Sequence, residues 1–181
     1  MPGEAEEVLD RFRQGDVRAF EVIFREHQGE VYRWILRVVR NAATAEELTV
    51  ETFWRVYRAH ARFDPARGFA PWARRIATHA ALDWLRTQRN EPEPVGERIA
   101  EFPAAAGADP AVSAETREKI AQAFARLPPK LRVAAVLAVV EELPHKEVAE
   151  ALGISVSAVK VRVFRALRRL RKDLEGQGIR A

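Results

Sequence analysis

The chain contains no cysteine. That removes disulfide frameworks, thiolate zinc sites, iron–sulfur clusters and cysteine nucleophiles together. No apolar run approaches the length of a membrane span. The first ten residues carry four acids and no base, unlike the basic start of a secretory signal. A soluble cytoplasmic protein without a membrane partner is therefore expected. Histidine is sparse. His27, His60, His79 and His145 are scattered, with no H-E-x-x-H pair and no phosphate-binding glycine loop among them. His145-Lys-Glu147 reads as a helix start rather than a site. The expectation is no enzyme, no catalytic residue, no metal and no cofactor. Lysine is scarce too: 5 of the 30 basic residues, the other 25 being arginine. Arginine offers a planar fork that suits phosphate and guanine edges. What is present suits a folded protein. The 181 residues are 48% apolar and 31% charged, neither a disordered nor a fibrous composition, and enough for one or two domains.

Charge is unevenly spread. Residues 1–90 carry a net +2, residues 91–115 a net −5, and residues 116–181 a net +7. The acidic middle is also rich in proline, glycine and alanine, as in Glu91-Pro-Glu-Pro-Val-Gly96 and Phe102-Pro-Ala-Ala-Ala-Gly-Ala-Asp-Pro110. Such a stretch does not hold a regular helix. Residues 89–112, or 87–112 at the widest, are read as a flexible linker. It joins a domain over 1–88 to a domain over 113–181. At its widest it spans roughly 85 Å when extended, at ~3.3 Å per residue.

Both domains read as helical, with no convincing strand. Asp16 precedes the series Phe20, Ile23, Phe24, Val31, Ile35, Leu36 and Val38, which has helical period. Thr44-Ala-Glu-Glu47 has the form of a capping box and predicts a helix to about His60. Phe63-Asp-Pro-Ala-Arg-Gly-Phe69 is a loop by its proline and glycine. A helix from about Ala70 to Arg89 follows, with Pro71 tolerated in the first turn. In the second domain helices are expected near 113–126, 129–142, 145–152 and 156–173. The fold class is all-α, two small helical domains.

The strongest local signal is Ala149, Gly153 and Val159. A helix–turn–helix needs a small residue where its helices cross, a tolerant residue at the turn and a β-branched residue packed back from the second helix. Val148, Leu152 and Ile154 are the expected core around them. On the second helix, Val156, Val159, Val163, Ala166, Leu167 and Leu170 fall on one apolar stripe. Arg165, Arg168 and Lys172 lie roughly opposite. Seven bases and no acid occur within 151–172. Ser157, Val161 and Phe164 fall off the stripe, where an apolar residue needs a partner. Val161 and Phe164 are candidates for thymine methyl contact, and Lys160 and Arg165 for base edges or phosphate. The competing reading is a basic helix packed in a bundle with Phe164 buried.

Aromatics and arginines interleave over 53–89: Phe53, Trp54, Tyr57, Phe63, Phe69, Trp72 and Trp84, with Arg55, Arg58, Arg62, Arg67, Arg74, Arg75, Arg86 and Arg89. This mixture suits single-stranded nucleic acid, because bases stack on rings while arginine tracks the backbone. Arg75, His79 and Arg86 fall within about 40° of one another on the helix. Phe53 and Trp84 are expected in the core, with Trp54 as the third candidate. For Trp72, Phe63 and Phe69 the core and base-stacking readings stand level.

Taken in order, these runs resemble a family: the extracytoplasmic-function sigma factors of the sigma-70 family, short bacterial initiation factors of RNA polymerase. The resemblance is carried by Ala19-Phe20 with Val31-Tyr32-Arg33, and by Ala45-Glu-Glu-Leu48 with Glu51-Thr-Phe53. It continues in Trp72-Ala-Arg-Arg-Ile-Ala77 with Asp83-Trp-Leu-Arg86, and in Leu127-Pro128 with Arg132. Glu147-Val-Ala-Glu-Ala-Leu-Gly153 and Ala158-Val-Lys160 with Arg165-Ala166 complete it. It covers about residues 15–90 and 113–173. The linker is too short for the middle domain of longer sigma factors, and nothing long precedes residue 15.

The resemblance implies core RNA polymerase and promoter DNA as partners. Docking on the β′ coiled coil falls to Glu46, Glu47, Val50, Glu51 and Trp54, and the second domain meets the β flap. Recognition and melting of the −10 element fall to Phe63, Arg67, Phe69, Trp72, Arg75, His79 and Arg86. The −35 element falls to Ser157, Lys160, Val161, Arg162, Phe164, Arg165 and Arg168. The acidic linker would thread toward the RNA exit path, and an anti-sigma partner is expected as a possibility. Three positions depart from the family pattern. Asp-Leu-x-Gln is replaced by Glu47-Leu-Thr-Val50, an asparagine after the loop by His79, and Thr–Val–Lys/Arg–Ser by Ala158-Val-Lys160-Val161. Val50 has two readings, docking on polymerase or packing inside. The first is preferred because Leu48, Thr52 and Phe53 already serve the core.

Two other classes share parts of this pattern or compete with it. A plain helix–turn–helix regulator that does not bind polymerase as a sigma factor would share the second domain. It needs a ligand-binding or receiver domain upstream, and the first 90 residues show no βαβ pattern. An enzyme lacks any clustered chemistry.

Overall fold

A computed structural model of the chain describes residues 2–88 and 113–179. The expected linker over 89–112 lies outside the described residues, whose regular elements are all helices, with no strand among them. The chain divides into two compact units, 1–83 and 84–181. The first holds α1 (Pro2–Arg13), α2 (Val17–Val39), α3 (Ala42–Arg58), two 3-10 turns (His60–Arg62 and Pro65–Arg67) and most of α4 (Phe69–Gln88). The second holds α5 (Ala114–Ala125), α6 (Pro129–Ala135), a π turn (Val136–Val140), α7 (His145–Leu152) and α8 (Val156–Gly176). α4 runs unbroken past the division.

Asp16 caps α2, as expected. Its Oδ1 accepts from the amides of Arg18 at 2.8 Å and Ala19 at 3.3 Å. Its Oδ2 accepts from Arg11 Nε at 2.9 Å and Nη2 at 2.6 Å. The Arg11 hydrogen bonds, then the Ala19 amide and the Arg18 amide, hold the Asp16 carboxyl below the usual carboxylate range. A carboxyl lowered in the folded state stabilises fully above its unfolded value of about 3.9. That stabilisation is lost as pH falls through the lower folded value. Asp16→Asn removes the titrating group. The melting-temperature advantage of the wild type over Asp16→Asn is therefore expected to be constant near pH 6 and to shrink below pH 4. A gap that is flat down to pH 2 contradicts this assignment.

The start of α3 corrects the capping-box expectation. Asn41, not Thr44, is the N-cap, and its Oδ1 accepts from the Thr44 amide at 2.9 Å. Arg40, in the left-handed region at φ 63, ends α2 and turns the chain just before Asn41. The helix then ends at Arg58, slightly before His60. Leu48, Thr52, Phe53 and Val56 face inward. The buried Thr49 and Thr52 hydroxyls donate to the carbonyls of Ala45 and Leu48 at 2.6 and 2.7 Å, so both are paired within α3.

α1 was not expected from the sequence. Its anchor is Phe12, which is fully buried. The Phe12 ring lies 5.7 Å from Phe63, 6.0 Å from Phe69 and 6.2 Å from Trp72, centroid to centroid. Phe63 and Phe69 are 2% and 4% exposed. This corrects the base-stacking reading of both: in the structure they are core. The connection between them is built rather than loose. Asp64 Oδ1 accepts from the Ala66 amide at 3.2 Å, and Gly68 takes φ 74, where a β-carbon would be strained. Trp72 is half-buried at the rim of the cluster. Trp84, expected in the core, is half-buried as well.

In the second unit, α8 packs against α5, α6 and α7. Arg126 at the end of α5 reaches Asp173 on α8 at 3.0 Å. The helix expected over 129–142 is α6 continued by the π turn to Val140, where the Glu141 amide reaches back to the Val136 carbonyl at 2.9 Å.

Candidate nucleic-acid and polymerase interfaces

The helix–turn–helix forms from the residues that signalled it. Ala149 and Val159 are buried, and Gly153 ends α7 at φ 63. Ser155 then caps α8, its hydroxyl accepting from the Ala158 amide at 3.2 Å. Val148 and Leu152 are buried and Ile154 half-buried. The inner stripe of α8 is narrower than expected. Val159, Val163, Ala166 and Leu170 are buried, whereas Val156 and Leu167 are exposed at its edges. Opposite it stand Ser157, Lys160, Val161, Phe164, Arg165 and Arg168, all exposed, with Arg162 half-buried. Phe164 is 67% exposed, so the bundle-core reading of that residue fails. Seven bases, with no acid before Asp173 in the last turns of the helix, create a field that attracts and orients a polyanion.

On α4, Arg75, His79 and Arg86 are exposed along one side. Arg67 stands out from the preceding turn, with Asp64 at 3.5 Å. His79 Nδ1 lies 2.8 Å from the Arg75 carbonyl. A carbonyl only accepts, so Nδ1 carries the proton and Nε2 is the atom left to meet a ligand. Arg74, by contrast, is structural: its Nη2 reaches Glu30 Oε1 on α2 at 3.2 Å. Of the seven residues expected at the −10 element, five remain accessible and two are core.

The outer face of α3 shows the reverse chemistry. Val50 is 66% and Trp54 59% exposed, one turn apart, with Trp54 stacked toward Tyr57 at 6.4 Å. Glu46, Glu47 and Glu51 are exposed around them. Glu51 is engaged by Arg55, whose Nε lies 3.0 Å from its Oε1, while Glu46 and Glu47 flank Val50. The placement of Trp54 corrects its core reading. An apolar pair framed by acids suits a basic, partly apolar protein surface.

Comparison with known proteins bears on the family and the fold of the chain. The Sigma-70 region 2 family matches residues 23–91, and Sigma-70, region 4 matches residues 117–170. The RNA polymerase sigma factor CarQ of Myxococcus xanthus is 36% identical over 166 residues, covering 92% of this chain and 95% of that protein. The ECF RNA polymerase sigma factor SigW of Bacillus subtilis is 32% identical over 176 residues, covering 92% and 94%. Among solved structures, CnrH in complex with the cytosolic domain of CnrY superposes with a TM-score of 0.65 at 22% identity, over 94% of this chain and 97% of that one. The sigma factor RpoE in complex with the anti-sigma factor NepR from Bartonella quintana gives 0.66 at 18%, over 86% and 96%. These two establish the fold. With the sequence relatives aligned nearly end to end, the chain belongs to the extracytoplasmic-function sigma factors of the sigma-70 family.

Proposed function

We propose that this sigma factor docks on the β′ coiled coil of core RNA polymerase through the outer face of α3. It meets the −10 element through α4 and the −35 element through α8. The observation that carries this reading is the pairing of two unlike exposed faces. Val50 and Trp54 stand among acids on α3, and a basic surface free of acids as far as Lys172 runs along α8. The first repels DNA and fits a protein; the second attracts DNA. On α4, the half-buried Trp72 offers its ring to an unstacked base, with Arg67, Arg75, His79 and Arg86 beside the strand. Flipping a base costs a few kcal/mol, which stacking and a pocket offset. The second unit also contacts the β flap. The protein works in the cytoplasm, has no catalysis of its own, and is a target for an anti-sigma partner.

Footprinting of holoenzyme made from core polymerase and the full chain tests this. Protection at two promoter elements is expected, and none with core alone. Arg165→Ala is expected to weaken promoter binding by ~1–3 kcal/mol if its contact is a bidentate base contact. Lys160→Ala weakens promoter and random DNA alike if Lys160 meets phosphate. Unchanged affinity for both DNAs with Arg165→Ala removes Arg165 from the interface.

A further inference from the structure

Two large apolar side chains on the outer face of α8 are left unused by its own fold. Val161 is 47% and Phe164 67% exposed, while Val159, Val163, Ala166 and Leu170 close the core. Such surface is unfavourable in water unless it meets a partner. The surroundings define that partner. Ser157, Val161, Phe164, Arg165 and Arg168 fall within about 100° of helical projection, with Lys160 beside Phe164. An apolar pair ringed by lysine and arginine suits the DNA major groove. Phosphates line its walls, and the apolar group that bases display there is the pyrimidine C5 methyl. Ala158, next on the helix, adds no hydrogen-bonding group. Val161 and Phe164 are three residues apart, about 4.5 Å along the axis. That is close to one base step of about 3.4 Å, so they address neighbouring base pairs.

We infer that Val161 and Phe164 read C5-methyl groups in the −35 element, so that thymine is favoured there and 5-methylcytosine supplies the same methyl. The inference rests on α8 being the −35 reader. It makes promoter recognition sensitive to cytosine methylation at those steps.

The test uses holoenzyme made with the full chain. Promoter duplexes are selected from a pool randomised over the −35 element. One selected duplex is resynthesised with deoxyuridine at each thymine in turn, which removes one methyl and leaves pairing intact. At one or two thymines the deoxyuridine duplex is expected to bind about fourfold more weakly. That factor is the weight of one buried methyl, about 0.8 kcal/mol at 1.4 kcal/mol per tenfold. The loss disappears with Phe164→Ala or Val161→Ala and persists with Phe164→Leu. Cytosine at the same position binds more tightly once 5-methylated. Both side chains are exposed, so the variants are expected to melt as the wild type does. Selection of an element without thymine overturns the inference. So does indistinguishable binding at every deoxyuridine, or a loss undiminished in both alanine variants. Methyl-independent binding together with failed holoenzyme assembly by Phe164→Ala would place the pair against polymerase instead. If no −35 sequence is enriched at all, the assignment of α8 falls as well.

Discussion

Val50→Asp is expected to weaken binding to core polymerase tenfold or more, while the melting temperature stays within a degree or two of the wild type. Burying most of a valine is worth ~1.5 kcal/mol or more, and a tenfold change in affinity corresponds to about 1.4 kcal/mol. Aspartate forfeits that contribution and adds a charge to a face already acidic through Glu46 and Glu47. The fold does not depend on Val50, which is 66% exposed. Trp54→Ala is expected to act in the same way. Exposed tryptophans that become buried on binding are among the largest contributors at interfaces. A pull-down against core polymerase and a thermal melt decide the matter. A large fall in melting temperature with unchanged core affinity would make Val50 a structural residue.

The second large effect lies in the aromatic cluster. Phe63→Ala and Phe12→Ala are each expected to cost ~3–5 kcal/mol, the usual range for truncating a buried phenylalanine. Both rings are essentially inaccessible and lie 5.7 Å apart, centroid to centroid. At about 4–8 °C per kcal/mol for a domain of this size, the first unit should melt more than ten degrees lower. Trp72→Ala makes the contrast. Trp72 is half-buried and lies 5.0 Å from Phe63 at the rim. Its loss is expected to lower permanganate reactivity of the melted promoter more than it lowers the melting temperature. If Phe63→Ala leaves the melt unchanged but abolishes strand opening, Phe63 is a base contact after all.

These two regions differ in how far they could be read in advance. Local signals served well where the constraint is local. Ala149, Gly153 and Val159 each answer a steric demand of one turn and two crossing helices, and the structure places all three as the motif requires. The exposure of Val50, though not what it docks on, was legible by elimination, since Leu48, Thr52 and Phe53 fill the inner side of α3. Phe63 and Phe69 were ambiguous because part of what packs on them is distant in the chain: Phe12 on both, more than fifty residues away, and His27 on Phe69. α1 itself offers only Ala5, Val8, Leu9 and Phe12 among acids, too few apolar positions to announce a helix. At α3, Thr44 and Asn41 both have capping chemistry. Asn41 prevails because it follows the left-handed turn at Arg40 and starts the helix earlier. On α8, helical period alone assigned Val156 and Leu167 to the core, yet the packing surface is only wide enough for the four residues between and beside them.

The most direct measurement is transcription in vitro with purified core polymerase, the full chain and a genomic template, followed by mapping of transcript 5′ ends. Discrete starts that require the protein and share two upstream elements at a fixed spacing are the predicted result. Starts that do not depend on the protein, or binding to DNA without any gain in initiation, would contradict its assignment as a sigma factor.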